Sequence, residues 1–367
     1  MSVSLARKNR RIFWIKLALI AILIRILFGF FPALCESLYS RGFYLWIRLV
    51  FDNTLGRLPF ASIYLFMLLL FTLLMFKVSH LFRQFRAKQF CFKDSLFSLA
   101  SFLSFIIFWF LLLWGFNYAR IPIQDQLEIQ LPESMDFDAI WEEAQYIKTT
   151  CVQLRSKIPN SDTNALNLDF YPPKLEQIMR NSLEEVLKKY HYPTEAQVRG
   201  RLLHPNGILL RFSSSGVYFP FTGEGHVDNG LHILTKPFTM AHELAHGYGF
   251  GSEASCNFLG FLACIHTHEY PAIQYSGYLM YWRYVYGALM EFLTEEEYLI
   301  ERATISRGMH NDIEAIYWQQ EQYAPFIPFL QPAIYDVFLK LQGVKEGIKS
   351  YNQMVLLVAS WRKNYTN

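Results

Sequence analysis

Within the 367 residues, Thr239-Met240-Ala241-His242-Glu243-Leu244-Ala245-His246-Gly247-Tyr248-Gly249 sets two histidines four apart, with a glutamate beside the first. On a helix, residues four apart share a face. His242 and His246 can therefore offer neutral imidazole nitrogens to one divalent ion. Glu243 is turned by about 100° from His242, which sets its carboxylate beside the ion's water rather than on the ion. This is the H-E-x-x-H pattern of zinc-dependent hydrolysis. Zinc lowers the pKa of bound water from about 15.7 to about 7, and Glu243 is the expected general base that takes the proton and delivers it to the leaving amine. Pro237 suits the first turn of such a helix, and Gly247 and Gly249 suit its end.

A pattern this short also arises by chance, so its surroundings matter. Catalytic zinc commonly takes three protein ligands. After His246 the chain turns through Gly247, Gly249 and Gly251, and a new helix is expected from Ser252 with Glu253 in its first turn. A tight turn that returns this helix past the first would bring Glu253 to the metal, giving a His242, His246, Glu253 site of gluzincin type. His266, His268 and Glu269 are the rival third ligands. Gly249 stands where a metzincin has its glycine, but Ser252 stands where that signature needs a histidine, which disfavours the metzincin reading.

Other groups near the motif are candidates for lesser roles. Val217 to Phe221 reads as a strand, and Pro220 suits an edge position. Zincins commonly hold extended substrate against such an edge. Glu224, His226, Asp228 and His232 can support the site or touch substrate. Tyr275 and Tyr278, in Tyr275-Ser276-Gly277-Tyr278, offer phenols to a developing oxyanion and are the catalytic candidates beside Glu243.

The elements that carry these residues divide the chain. It is 52% hydrophobic and 18% charged, against about 25% charged in an ordinary soluble domain. The apolar excess lies in three stretches of about 12–34, 58–78 and 95–119, each near the ~20 residues that cross a bilayer. The first is too long for a cleaved signal peptide and has no cleavage site after it. Arg7, Lys8, Arg10 and Arg11 precede the first span, and Lys77, Arg83, Arg86, Lys88 and Lys93 flank the loop between the second and third. The positive-inside rule then sets the N-terminus in the cytoplasm and everything after Ala119 outside. The expected location is the cytoplasmic (inner) membrane, with the lipid bilayer as one partner. A net charge of +3 and the lack of any basic–aromatic tract argue against nucleic acid. The five cysteines show no paired spacing, so neither a disulfide framework nor a thiolate metal site is indicated.

Residues 1–120 are thus expected to form a membrane region of three helices, 121–135 a linker, and 136–367 an extracytoplasmic domain. In that domain Asp136 to Ile158 and Lys174 to His191 read as amphipathic helices, the first with Ile140, Ala144, Ile147, Cys151 and Leu154 on one face. Ile208 to Phe212 and Val217 to Phe221 read as short strands separated by Ser213–Gly216, either a hairpin or two strands near a sheet edge. From Pro237 the pattern is almost wholly helical, and Pro271 to Leu293 reads as a buried helix rather than a fourth span. The fold class is a membrane α-helical region followed by a mainly helical α+β zincin-like domain with a small sheet.

The sequence resembles a family of bacterial multi-pass membrane proteins catalogued as a domain of unknown function (type 3810), whose members carry H-E-x-x-H. The resemblance rests on the apolar first third and on Pro220-Phe221-Thr222-Gly223-Glu224, Pro237-Phe238-Thr239, His242-Glu243-Leu244-Ala245-His246, Gly249-Phe250, Glu253 and Asn257-Phe258. It continues through Tyr275-Ser276-Gly277-Tyr278 and Gly347-Ile348-Lys349-Ser350-Tyr351. Members are richer in acids just before the Asn-Phe pair, where this chain has Ala254, Ser255 and Cys256. The resemblance implies the fold and the metal, and no substrate.

The expectation is a membrane-anchored zinc metallopeptidase acting on peptide or protein substrates of the cell envelope, with Zn²⁺ as cofactor. The alternative is a non-catalytic membrane scaffold or sensor that uses the same zinc-binding domain. A transporter is disfavoured, because the spans hold little polarity.

Overall fold

A computed structural model describes residues 2–88, 91–170, 172–326 and 353–365. Gly347–Tyr351, quoted above, lie outside the described residues. The molecule is mostly helical and divides into two compact units, residues 1–120 with 219–223, and residues 121–218 with 224–367.

The first unit holds α1 (Ser2–Phe30), α2 (Tyr44–Asn53), α3 (Ile63–Arg86) and α4 (Phe92–Leu113). Three segments are long and apolar enough to cross a membrane, Lys8–Phe30, Ile63–Arg86 and Phe92–Leu113. Their leucines and phenylalanines, among them Leu23, Phe71, Phe76 and Leu103, point outward, as suits helices solvated by lipid. Before α2 the chain makes a π-helical stretch, Glu36–Phe43. Buried Glu36 accepts from Arg41 at 2.7 Å and from Arg120 at 2.7 and 2.9 Å. Two cations on one carboxylate meet the rule that a buried charge needs partners. Residues 219–223 cluster with this unit: Phe66 packs on the rings of Phe219 and Phe221 at 4.9 and 5.6 Å, and Arg48 donates to the Gly223 carbonyl at 2.6 Å.

The second unit contains α5 (Phe137–Ser156), α6 (Leu175–Lys189), strands β1 (Arg199–Leu203), β2 (Gly216–Phe219) and β3 (Glu224–Asp228), then α7 (Lys236–Gly247), α8 (Glu253–Ile265) and α9 (Pro271–Leu289). It continues with α10 (Glu295–Ala303), α11 (Arg307–Glu321) and α12 (Gln353–Tyr365). Helix α5 starts at an Asp136 cap that accepts from the Ala139 amide, and buries Ile140, Ala144, Ile147, Cys151 and Leu154, the stripe its spacing predicts. The segment expected as a linker also contributes Ile123, Leu127 and Ile129 to this core. Helix α9 is largely buried. Its tyrosines reach carboxylates on its neighbours: Tyr275 to Asp312, Tyr281 to Glu143 and Tyr286 to Glu301. Asp312 also pairs with Arg155 at 2.7 Å, so one carboxylate ties α5, α9 and α11 together.

The sheet keeps one of the two strands expected here and not the other. It is a mixed sheet in the order β1-β3-β2, with β1 and β3 parallel in the register Arg199↔Glu224 to Leu203↔Asp228. Leu210–Phe212 is a 3₁₀ turn, not a strand. The reason is Asp228, whose carboxylate accepts the amides of Gly207, Leu209, Leu210 and Gly230 at 2.6–3.1 Å. Those amides are then withdrawn from any ladder.

The sheet lies close on α7 because two strand residues lack a side chain. A Cβ on Gly225 would stand 2.8 Å from Glu243 Cβ and 3.0 Å from its carbonyl, and one on Gly216 would stand 2.5 Å from Glu243 Oε1. Gly225→Ala should therefore lower stability by about 1–3 kcal/mol, the usual cost of overpacking. Gly287→Ala, at a helix site with nothing within 4 Å, should raise it by up to about 1 kcal/mol. Thermal midpoints of the two variants in detergent check both signs.

Candidate metal centre

Helix α7 begins with Pro237 in its first turn, where a missing amide costs nothing. It ends at Gly247, and Gly249 takes a left-handed φ of +87° that lets the chain reverse. Ser252 then caps α8 by accepting from the Ser255 amide. Helix α8 packs tightly along α7: a Cβ on Gly260 would stand 3.4 Å from the His242 amide. The reversal brings Glu253 back to the histidines.

The three side chains converge. His242 Nε2 and His246 Nε2 are 3.1 Å apart, Glu253 Oε2 is 3.2 Å from the first and Glu253 Oε1 is 3.6 Å from the second. All three residues are buried, and among the described residues this is the one His/Cys/Asp/Glu group that could hold a metal ion. The other ring nitrogens face oxygen acceptors. His242 Nδ1 is 2.8 Å from Asn257 Oδ1, and His246 Nδ1 is 2.8 Å from the Phe250 carbonyl. Because those partners accept, they favour the proton on each Nδ1, so that a neutral ring turns its Nε2 lone pair inward. Cys256 Sγ lies 3.3 Å from His246 Nδ1, on the side away from the cluster.

The electrostatics favour positive charge in the cluster, which a proton on His246 or a bound cation can supply. Burial pushes the Glu253 carboxyl up, but the facing imidazoles outweigh it and hold its pKa well below the usual carboxylate range. Burial pulls His246 down, and Cys256 and Glu253 outweigh it, so its pKa rises well above the ordinary value. Glu243 points toward β2. Burial pushes its pKa up to about 7, against the opposing charges of His242 and His246 and the Tyr218 backbone. Its Oε2 has no hydrogen-bond partner.

The family described as Protein of unknown function (DUF3810) matches residues 39–359, a stretch that takes in α2 through the metal centre and much of α12. The chain belongs to this family. No curated protein and no solved structure matches it.

The remaining candidates fall elsewhere. Tyr275 is fully buried and donates to Asp312 at 2.7 Å; burial first, then Asp312, raises its pKa well above the ordinary value. It is a strut of the core rather than a donor at the metal centre. Tyr278 packs on Phe261 at 5.3 Å and, raised by burial and Tyr146, is likewise committed. The structure brings neither phenol to the cluster. His266 Nδ1 is held by the Leu262 carbonyl and His268 lies beside Gln274, so neither competes with Glu253, and Glu269 is outside the cluster too. Glu224 pairs with Arg201 at 3.2 Å, Asp228 is spent on amides, and the His232 ring accepts from the Leu234 amide at 3.3 Å.

The residues that the spacing did not assign are Asn257, which orients His242, and Tyr284, which borders Asn257 and Glu253. Burial, helped by the Glu253 charge, pushes the Tyr284 phenol up to about 12, so it stays a donor. Asn257 was findable, since it lies one turn beyond Glu253 on the same face of α8. Tyr284 is one of many aromatics on α9 and carries no such mark.

Asn257→Leu removes the acceptor for His242 Nδ1 at little change in volume. Metal affinity should fall by about 10–100-fold, read by competition with a chelator. A second expectation concerns His226, fully buried in β3, whose two ring nitrogens have no hydrogen-bond partner. Burial, helped by Arg201, pushes its pKa down to about 3. The unfolded chain takes up a proton near pH ~6.5 and the folded chain does not. Stability is therefore lost as pH falls from about 6.5 toward 3. In metal-free His226→Gln the thermal midpoint should fall less steeply over that window than in the native chain.

Proposed function

We propose that the chain is a membrane-anchored zinc-dependent metallopeptidase, with His242, His246 and Glu253 as metal ligands and Glu243 as general base. The observation that carries this reading is the convergence of two lone-pair nitrogens and a carboxylate beside a second carboxylate whose Oε2 is unpartnered. The spacing fits zinc. Ligands at about 2.0–2.1 Å in a tetrahedron stand about 3.3 Å from one another, and the three separations here are 3.1, 3.2 and 3.6 Å. The ligand types, two imidazoles and one carboxylate, are also those of a catalytic zinc with an open position.

Zinc held there would supply Lewis acidity to a water and to the scissile carbonyl. The chain's own residues do the rest. Glu243 Oε2 accepts a proton from the attacking water and returns it to the leaving amine nitrogen, the usual general acid–base cycle. Gly216 leaves the Glu243 carboxylate against the backbone of β2. Because β2 is an edge strand, an extended peptide can add alongside it and lie across the metal centre. The basic residues in the first turns of α1 and around the connection from α3 to α4 favour a cytoplasmic N-terminus and an extracytoplasmic second unit. The substrates would then be peptides or proteins of the cell envelope.

Glu243→Gln should cut hydrolysis of a mixed peptide substrate by about 10²–10⁴-fold while zinc stays at one per chain. His246→Ala should lose the zinc as well. Metal analysis beside peptide cleavage by the full-length protein checks both. Zinc-free native protein would overturn the reading. Zinc-bound protein with the same hydrolysis in both forms would favour the scaffold or sensor.

A further inference from the structure

A cleft of about 360 Å³ opens within the second unit, and its walls include Ser215, Thr239, Arg283, Tyr284, Tyr317 and Gln320. Three of these adjoin the metal centre. Ser215 directly precedes Gly216, the residue that lies against Glu243. Thr239 is one turn before His242 on the same face of α7. Tyr284 borders Asn257 and Glu253. The cleft is thus walled in part by residues that neighbour the metal centre, at the start of the edge strand, on α7 and on α9.

Its charge is one-sided. Among the described residues no acidic one lines it, and burial lowers the pKa of His232, which does, favouring its neutral ring. Arg283 is left as the fixed charge. Its guanidinium lies over the Tyr317 ring at 5.3 Å, and Nη1 is 3.7 Å from Met280 Sδ, a weak acceptor. Arg155, Arg199, Arg201 and Arg362 of the same unit each face a carboxylate. Among the described residues Arg283 faces none. A half-buried guanidinium stacked on an aromatic ring is held in orientation with its donor fork free, the arrangement that recognises carboxylates by paired hydrogen bonds.

We propose that Arg283 binds a carboxylate of the peptide substrate, so that the site prefers peptides with a negative group on one side of the scissile bond. This rests on the peptidase reading. The carboxylate is either the substrate's C-terminus or an Asp or Glu side chain, which share one chemistry.

The test uses zinc-loaded full-length protein and four peptide pools: with or without Asp and Glu, each with a free or amidated C-terminus. For native protein, KM should be lowest where a carboxylate is present. Arg283→Met should raise KM for those pools by about 10–100-fold, the worth of a hydrogen bond to a charged group, with kcat nearly unchanged and the neutral pool unaffected. Arg283→Lys should fall between, and unchanged zinc content in both variants confirms an intact fold. Loss of preference on amidation assigns the C-terminus; loss on removing Asp and Glu assigns the side chain. Equal KM for all pools with native protein, or equal loss on all pools with Arg283→Met, overturns the proposal. Binding of the same pools to zinc-loaded Glu243→Gln separates the two readings. Arg283-dependent carboxylate binding without cleavage by native protein sinks the peptidase and leaves the anion site. Cleavage without carboxylate preference does the reverse.

Discussion

Two imidazole nitrogens and a carboxylate share a space that water barely enters: His242, His246 and Glu253 are 9%, 5% and 6% exposed. This is a costly arrangement, because two imidazoles and a carboxylate are cut off from solvent and have chiefly one another as partners. It persists because the rings cannot turn away. Asn257 and the Phe250 carbonyl hold the far nitrogens, and those partners are fixed by the start of α8 and by the turn that precedes it. The glycines that bring the sheet and α8 onto α7 serve the same end, since one side chain at Gly216, Gly225 or Gly260 would push a wall of the centre outward.

Where the sequence is legible, it is so because periodicity leaves a mark. The stripe of α5, the glycine reversal after His246 and the Ser252 cap each follow from a local rule, and together they bring Glu253 to the imidazoles. The strands were harder. Arg199–Leu203 and Glu224–Asp228 carry arginines, a glutamate, a histidine and an aspartate, which read as polar loop until Arg201 is seen paired with Glu224. Ile208–Phe212 failed in the other direction. Its apolar run suits a strand, but the carboxylate of Asp228, about twenty residues away, captures its amides. No local pattern signals such capture.

The tyrosines of α9 show the same limit. Tyr275 and Tyr278 carry the Tyr-Ser-Gly-Tyr signature, whereas the phenol that hydrogen-bonds Asn257, the partner of His242, is Tyr284. Three other phenols on this helix neutralise the hydrogen-bonding needs of Asp312, Glu143 and Glu301. A buried aromatic helix next to a polar centre thus divides its hydroxyls between scaffold and site by rotation angle. That angle depends on which acids the neighbouring helices present, and composition does not record it.

Helix α12 supplies the outer wall of the metal helices. Trp361 packs on Phe258, the neighbour of Asn257, and its indole donates to Tyr190 at 2.8 Å, while Arg362 reaches Glu143. The wall is made of residues that follow the HELAH run by more than a hundred positions. During synthesis, therefore, α7 and α8 leave the ribosome long before their covering does, and the ligand-bearing pair cannot settle into its final packing until that late segment arrives. The metal helices are thus finished from outside by a distant stretch of chain, which makes their packing a late event in the life of the polypeptide.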